Sequence, residues 1–129
     1  MNDVMRRNRV LVVEDNPKNL KLVRAVLEHH GFHVIEATTG EDGVRLAGEV
    51  SPDLILMDLQ LPGIDGTETL HRIQSRLNEA MMPVVAVTAS AMLADREAAE
   101  RAGFDGFLEK PINVRALPAQ VASYLAGPS

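Results

Sequence analysis

The sequence predicts an α/β fold: a doubly wound parallel sheet of five strands, with five helices covering its two faces. Three observations carry that expectation. Short apolar runs alternate with segments of helical period along the whole chain. The runs are apolar at nearly every position, too apolar for a sheet with one wet face, so both faces must be covered. Turn and cap residues fall between the segments, where a strand must hand over to a helix.

The first strand, Val10-Leu11-Val12-Val13, ends in Glu14-Asp15. Asn16 then caps a helix with Pro17 at its first position, Leu20, Val23 and Leu27 recur at helical spacing, and Gly31 ends it. Phe32 to Ala37 reads as the second strand, and Thr38-Thr39-Gly40 leads into a helix carrying Val44, Leu46 and Ala47. The turn Ser51-Pro52-Asp53 stops that helix, and the third strand, Leu54-Ile55-Leu56-Met57-Asp58, begins at once. A third helix runs from Thr67 through Leu70, Ile73 and Leu77 to a loop at Asn78. Met82-Pro83 precedes the strand Val84 to Thr88, a fourth helix spans about Ala91 to Ala102, and Gly103 closes it. A short strand at Phe107 and a helix near Val114 to Leu125 complete the set. Pro118 is the one misfit. As the fifth residue of a helix capped by Asn113 it removes a hydrogen bond, so the helix either starts later or kinks there.

At 129 residues the chain is one domain, placed at residues 9–125, with short mobile ends at 1–8 and 127–129. It has no cysteine, which excludes disulfides, thiolate zinc sites and cysteine nucleophiles. The polar stretch Met1 to Arg9 is unlike a signal peptide, and no apolar run approaches the ~20 residues of a membrane helix. A soluble, cytoplasmic protein with no membrane partner is expected. The net charge of −5 argues against direct DNA binding, and three Phe, one Tyr and no Trp offer no platform for stacking bases.

Polar groups gather at the carboxyl ends of the strands, where open α/β sheets keep their ligands: Glu14 and Asp15, Asp58, Thr88, and Lys110 after the last strand. An acid pair, a further acid, a hydroxyl and an ammonium suit a divalent cation and a phosphoryl group. Phosphate beside three carboxylates would be repelled by several kcal/mol per close pair in a partly buried site. A cation must intervene, and Mg²⁺ or Mn²⁺ fits, since it takes oxygen ligands from one or two carboxylates plus phosphate. Asp15 and Asp58 are expected as direct ligands, with Glu14 reaching through water. The Asp58 carboxylate is then the nucleophile toward phosphorus, Lys110 stabilises charge on the transferring oxygens, and Thr88 donates its hydroxyl to one of them.

Taken singly, these residues have plainer readings: Glu14-Asp15 a solvated loop pair or cap, Thr88 a strand end, Lys110 a surface charge, Phe107 core. Convergence on one edge of the sheet favours the metal site. His29, His30, His33 and His71 lack a paired spacing for zinc, and Met81, Met82 and Met92 read as gap-filling residues.

Five separated motifs, in order, are similar to the receiver domain of bacterial two-component response regulators: Glu14-Asp15-Asn16, Leu56-Met57-Asp58, Leu61-Pro62-Gly63 through Asp65-Gly66, Val87-Thr88-Ala89 and Lys110-Pro111. The stretches Pro52 to Asp58 and Pro83 to Ala89 are especially similar to DivK-type single-domain regulators. The resemblance implies a flavodoxin-like, CheY-like fold. Asp58 would accept phosphate from a histidine kinase or histidine phosphotransfer protein, and the Gln60 backbone carbonyl would complete the metal site. It further implies a cis peptide between Lys110 and Pro111, and tuning of the phosphoryl lifetime by Gln60 and Ser90. Thr88 and Phe107 would act as the switch, with Phe107 swinging inward as Thr88 moves toward the phosphoryl group. The surface of the fourth helix, fifth strand and fifth helix would then bind an effector protein or a second copy of the chain.

Two other classes fit less well. An aspartate-nucleophile phosphatase needs a general acid, commonly two residues after the nucleophile, and Gln60 stands there. A flavin protein needs donors in its phosphate loop, whereas Glu14-Asp15 offers acceptors. The expected function is a signalling switch and not an enzyme of another class.

Overall fold

The computed structural model describes residues 8–77, 82–89 and 92–126. Strands β1 (Arg9–Val13), β2 (His33–Ala37), β3 (Leu54–Asp58), β4 (Val84–Thr88) and β5 (Gly106–Glu109) alternate with five helices. These are α1 (Pro17–His29), α2 (Gly40–Val50), α3 (Gly66–Leu77), α4 (Leu93–Ala102) and α5 (Leu117–Ala126). All four strand pairings are parallel and the order is β2-β1-β3-β4-β5, the expected doubly wound sheet. The strand order reverses between β1 and β3, and a crevice opens at the carboxyl ends of strands at such a point.

Alternation along each strand divides the core in two. Val10, Val12, Leu54, Leu56, Val85, Val87 and Leu108 face α1 and α5, where they meet Leu20, Val23, Leu27, Leu117 and Val121. Leu11, Val13, Ile55, Met57 and Ala86 face the opposite layer and meet Ala47, Leu70, Ile73, Ala99 and Phe104. Strands β3 and β4 are buried at every position, as a strand covered on both faces requires. Asp53 and Asp105 latch the amino-terminal ends of the strands. Each carboxylate accepts a backbone N–H at the start of a neighbouring strand, Arg9 at 3.0 Å and Val84 at 2.8 Å.

Helix ends follow their cap chemistry. The Asn16 side chain accepts from the Lys18 and Asn19 amides at 2.9 and 3.1 Å, with Pro17 at the first helical position. Asn16→Ala should therefore cost about 1 kcal/mol in a urea unfolding curve, with the slope unchanged. Gly103 closes α4 at φ +110°, a conformation that favours glycine.

The last helix resolves the Pro118 misfit in favour of a late start, at Leu117. The Asn113 side chain does cap the approach, accepting from Arg115 at 3.0 Å and Ala116 at 3.1 Å, and the Leu117 amide donates to Asn113 O at 2.9 Å. Pro118 has no amide with which to continue that ladder, so residues 114–116 form a turn ahead of the helix and Pro118 lies in the first turn proper. Other bounds shift by one or two residues: β2 begins at His33 and α3 at Gly66, while α4 begins at Leu93. Ala91, Asn78, Met81 and, of the ends placed at 1–8 and 127–129, residues 1–7 and 127–129 lie outside the described residues.

Candidate functional site

The crevice at the strand reversal collects the acidic residues. Glu14 follows β1, its amide donating to Ala37 O at 2.9 Å on β2, which fixes where its side chain starts. Its Oε2 accepts from the Asn16 amide at 3.0 Å. Asp58 ends β3, and its Oδ1 accepts from the Gln60 amide at 2.9 Å. Glu14 and Asp58 are 5% and 3% exposed, whereas Asp15 is exposed. One carboxylate oxygen from each of the three lies within 4.8 Å of the others.

Lys110 reaches this cluster from the loop after β5. Its Nζ donates to Asp58 Oδ2 at 3.0 Å and pairs with Glu14 Oε1 at 3.0 Å. The Lys110 amide donates to Thr88 O at 2.7 Å, which ties this loop to the end of β4, and the Lys110–Pro111 peptide is cis. Thr88 is 4% exposed at the same edge of the sheet. Residues 14, 15, 58, 88 and 110 are thus all at the carboxyl ends of the strands, and four of them form one charged cluster.

The electrostatics leave room for a cation. Three carboxylates against one ammonium sum to −3 + 1 = −2 when all are ionised. Burial pushes the Glu14 carboxyl above the usual glutamate value, against the hydrogen bonds from Asn16 and Lys110, and Asp58 adds to the rise. Burial alone would lower the Lys110 ammonium, but the hydrogen bonds and charges of Asp58 and Glu14 outweigh it and hold the pKa above the ordinary 10.5. Among the described residues every buried side-chain nitrogen and oxygen has a hydrogen-bond partner. The donor set is oxygen only, which suits a hard divalent cation such as Mg²⁺.

Gly66 explains how the loop after β3 returns so closely. A Cβ there would stand 2.6 Å from Asp58 O and 2.8 Å from Leu59 Cα, and the Gly66 amide donates to Leu59 O at 3.2 Å. The turn that presents Asp58 therefore packs directly on the start of α3. Phe107 is half-buried on β5, and the Arg96 guanidinium of α4 stands 5.7 Å from its ring centre. Gln60 is exposed. Ser90 lies outside the described residues. The four histidines are exposed and separate from the acidic cluster.

Residues 10–122 match the response regulator receiver domain, and the chain belongs to that family. It is 40% identical over 116 residues to the polar-differentiation response regulator DivK of Brucella ovis and of Brucella suis, covering 90% of this chain and 94% of each relative. Among solved structures it resembles the receiver domain of a sensor histidine kinase from Pseudomonas aeruginosa, crystallised with a magnesium ion coordinated in its active-site cleft. That likeness has a TM-score of 0.85 at 33% identity over 93% of this chain and 98% of the other. The receiver domain of a LuxO repressor protein from Vibrio parahaemolyticus superposes with a TM-score of 0.84 at 31% identity, covering 93% and 91% of the two chains.

Two features of this region depend on contacts that the amino-acid sequence does not display. The contact of Arg96 with Phe107 joins residues of two elements that no local pattern links. Asp65-Gly66 was legible as a motif, but the close approach that requires glycine depends on where the Asp58 carbonyl falls in space.

Proposed function

We propose that the chain is a single-domain switch in which Asp58 accepts a phosphoryl group, with the receiver unit spanning residues 9–125. The observation that carries this is the cluster of Glu14, Asp15 and Asp58 oxygens with Lys110 bound to two of them. A bound Mg²⁺ or Mn²⁺ would neutralise the cluster and polarise the phosphoryl oxygens. Asp15 and Asp58 would hold the ion directly and Glu14 through water, with the Gln60 carbonyl as a further ligand.

Asp58 is held for its task by the Gln60 amide on one oxygen and the Lys110 ammonium on the other. In the transfer, a carboxylate oxygen of Asp58 forms a bond to phosphorus as the bond from phosphorus to the donor's imidazole nitrogen breaks, and the electron pair stays on that nitrogen. An acyl phosphate results. Lys110 keeps its charge throughout, since its pKa lies above the ordinary value, and offers it to the phosphoryl oxygens. The Thr88 hydroxyl would take another of those oxygens.

The donor would be a histidine kinase or histidine phosphotransfer protein in the cytoplasm, and the recipient of the signal a downstream protein. No described helix is long and apolar enough to cross a membrane. Phosphorylation adds about −1.5 to −2 charge, and drawing Thr88 toward it would let Phe107 move inward and change the α4–β5–α5 surface. Effector binding or dimerisation through that surface, and lifetime tuning by Gln60 and Ser90, belong to the same proposal.

Incubation with acetyl phosphate and Mg²⁺ should add one phosphoryl group, read by intact mass and mapped to Asp58, and chelation should prevent it. Asp58→Asn should remain unlabelled. Equal labelling of that variant would overturn the assignment.

A further inference from the structure

Arg96 lies outside the acidic cluster, yet it touches the residue through which a signal from that cluster would reach the surface. Its guanidinium stands 5.7 Å from the centre of the Phe107 ring, within the ~6 Å over which a cation is attracted to an aromatic face. Among the described residues Arg96 makes no ion pair, although Glu100 lies one helical turn on. The ring is its charge partner here.

The surroundings decide what that contact controls. Phe107 is half-buried: it packs against the core layer of α2, α3 and α4 and also lines a surface cleft of about 260 Å³ with Arg96, Ala99, Phe104 and Tyr124. Tyr124 crosses the strand at Gly106, where an added Cβ would collide with its phenol oxygen, so the far side of the cleft is walled by a ring that glycine admits. In this structure the half-buried Phe107 ring lies under Arg96 and borders the cleft, and this is its outward position. Moving the ring inward removes it from the guanidinium.

We infer that Arg96 sets the threshold of the switch: its contact with Phe107 favours the outward ring and opposes the phosphorylated state. It is a positioning residue and touches no reacting atom. The inference rests on the functional reading above, in which the inward ring accompanies phosphorylation. An exposed cation–ring contact biases such an equilibrium by about two- to fivefold.

The test is titration of the full chain with beryllofluoride in the presence of Mg²⁺, following the Phe107 and Leu108 amide resonances. Wild type, Arg96→Gln, Phe107→Leu and the double variant are compared. Arg96→Gln should lower the beryllofluoride concentration at the midpoint by about two- to fivefold, and Phe107→Leu should abolish that difference. Loss of a positive charge by itself would weaken binding of an anion, so the expected shift has the opposite sign to a general charge effect. An unchanged or raised midpoint in Arg96→Gln, or the same lowering in the Phe107→Leu background, would overturn the inference while the switch itself stands. A wild-type protein that ignored beryllofluoride would overturn the functional reading and this inference together.

Discussion

Lys110→Met should destabilise the magnesium-free protein by about 3 kcal/mol, the lower end of what removing one partner of a buried ion pair costs. Among the described residues the ammonium is the one cation that meets both Glu14 and Asp58, each at 3.0 Å, and those carboxylates are almost entirely buried. Without it, two acids with oxygens within 4.8 Å of each other are left to repel. The lower end is chosen because the Lys110 side chain is 19% exposed, so water screens part of the loss.

The loss should depend on pH, and its sign follows from Glu14. Burial already raises the Glu14 carboxyl above 4.5, so the folded chain binds that proton more tightly than the unfolded chain does. The destabilisation from this group is complete above the folded pKa and fades as pH falls toward 4.5. Removing the ammonium widens the gap, so the variant should regain stability on mild acidification faster than wild type. Magnesium should also restore it, by about 2.7 kcal/mol at a hundred times its dissociation constant. Urea unfolding at neutral and mildly acidic pH, with and without Mg²⁺, reads all three. A variant as stable as wild type in chelator at neutral pH would show that the ammonium offsets no repulsion.

Gly66→Ala should cost about 3 kcal/mol, the upper end for an overpacked site, because the atoms it meets cannot move aside cheaply. The Asp58 carbonyl belongs to a strand buried on both faces, and Leu59 Cα to the turn that presents the candidate phosphoacceptor. Relief would displace that turn, so magnesium-induced stabilisation should shrink as well. Gly48→Ala is the control. Gly48 lies exposed within α2 with only Arg76 Nε near, at 3.7 Å, and alanine there should stabilise by about 0.5–1 kcal/mol. If both substitutions had the same sign, close packing at Gly66 would not be the cause.

Much of the fold was legible because it rests on local chemistry. The runs at Val10, Leu54 and Val84 are apolar at successive positions, and both faces of those strands are covered. Asn16 with Pro17, and Gly103, mark helix ends through hydrogen bonds and dihedrals that depend on near neighbours alone. The start of α5 was not legible, since Asn113 caps a turn there while Pro118 interrupts the ladder, and only the balance of the two decides where the helix begins.

The candidate site divides the same way. An acid at the end of each of two apolar strands, a threonine at the end of another and a lysine before proline were visible as residue types in order. Their gathering depends on β1 and β3 being neighbours, which the parallel order β2-β1-β3-β4-β5 brings about.

By itself, then, the sequence determined the alternation of strand and helix, the edge of the sheet that carries polar groups, and the kinds of group found there. Apolar periodicity and cap chemistry act over a few residues, so they are written in the order of the chain. Tertiary structure alone decided that Lys110 bonds both Glu14 and Asp58, that Gly66 must lack a side chain, and that Arg96 covers Phe107. Those contacts join residues of different elements, and their energies depend on separations of a few ångströms that only the packed sheet and its helices set.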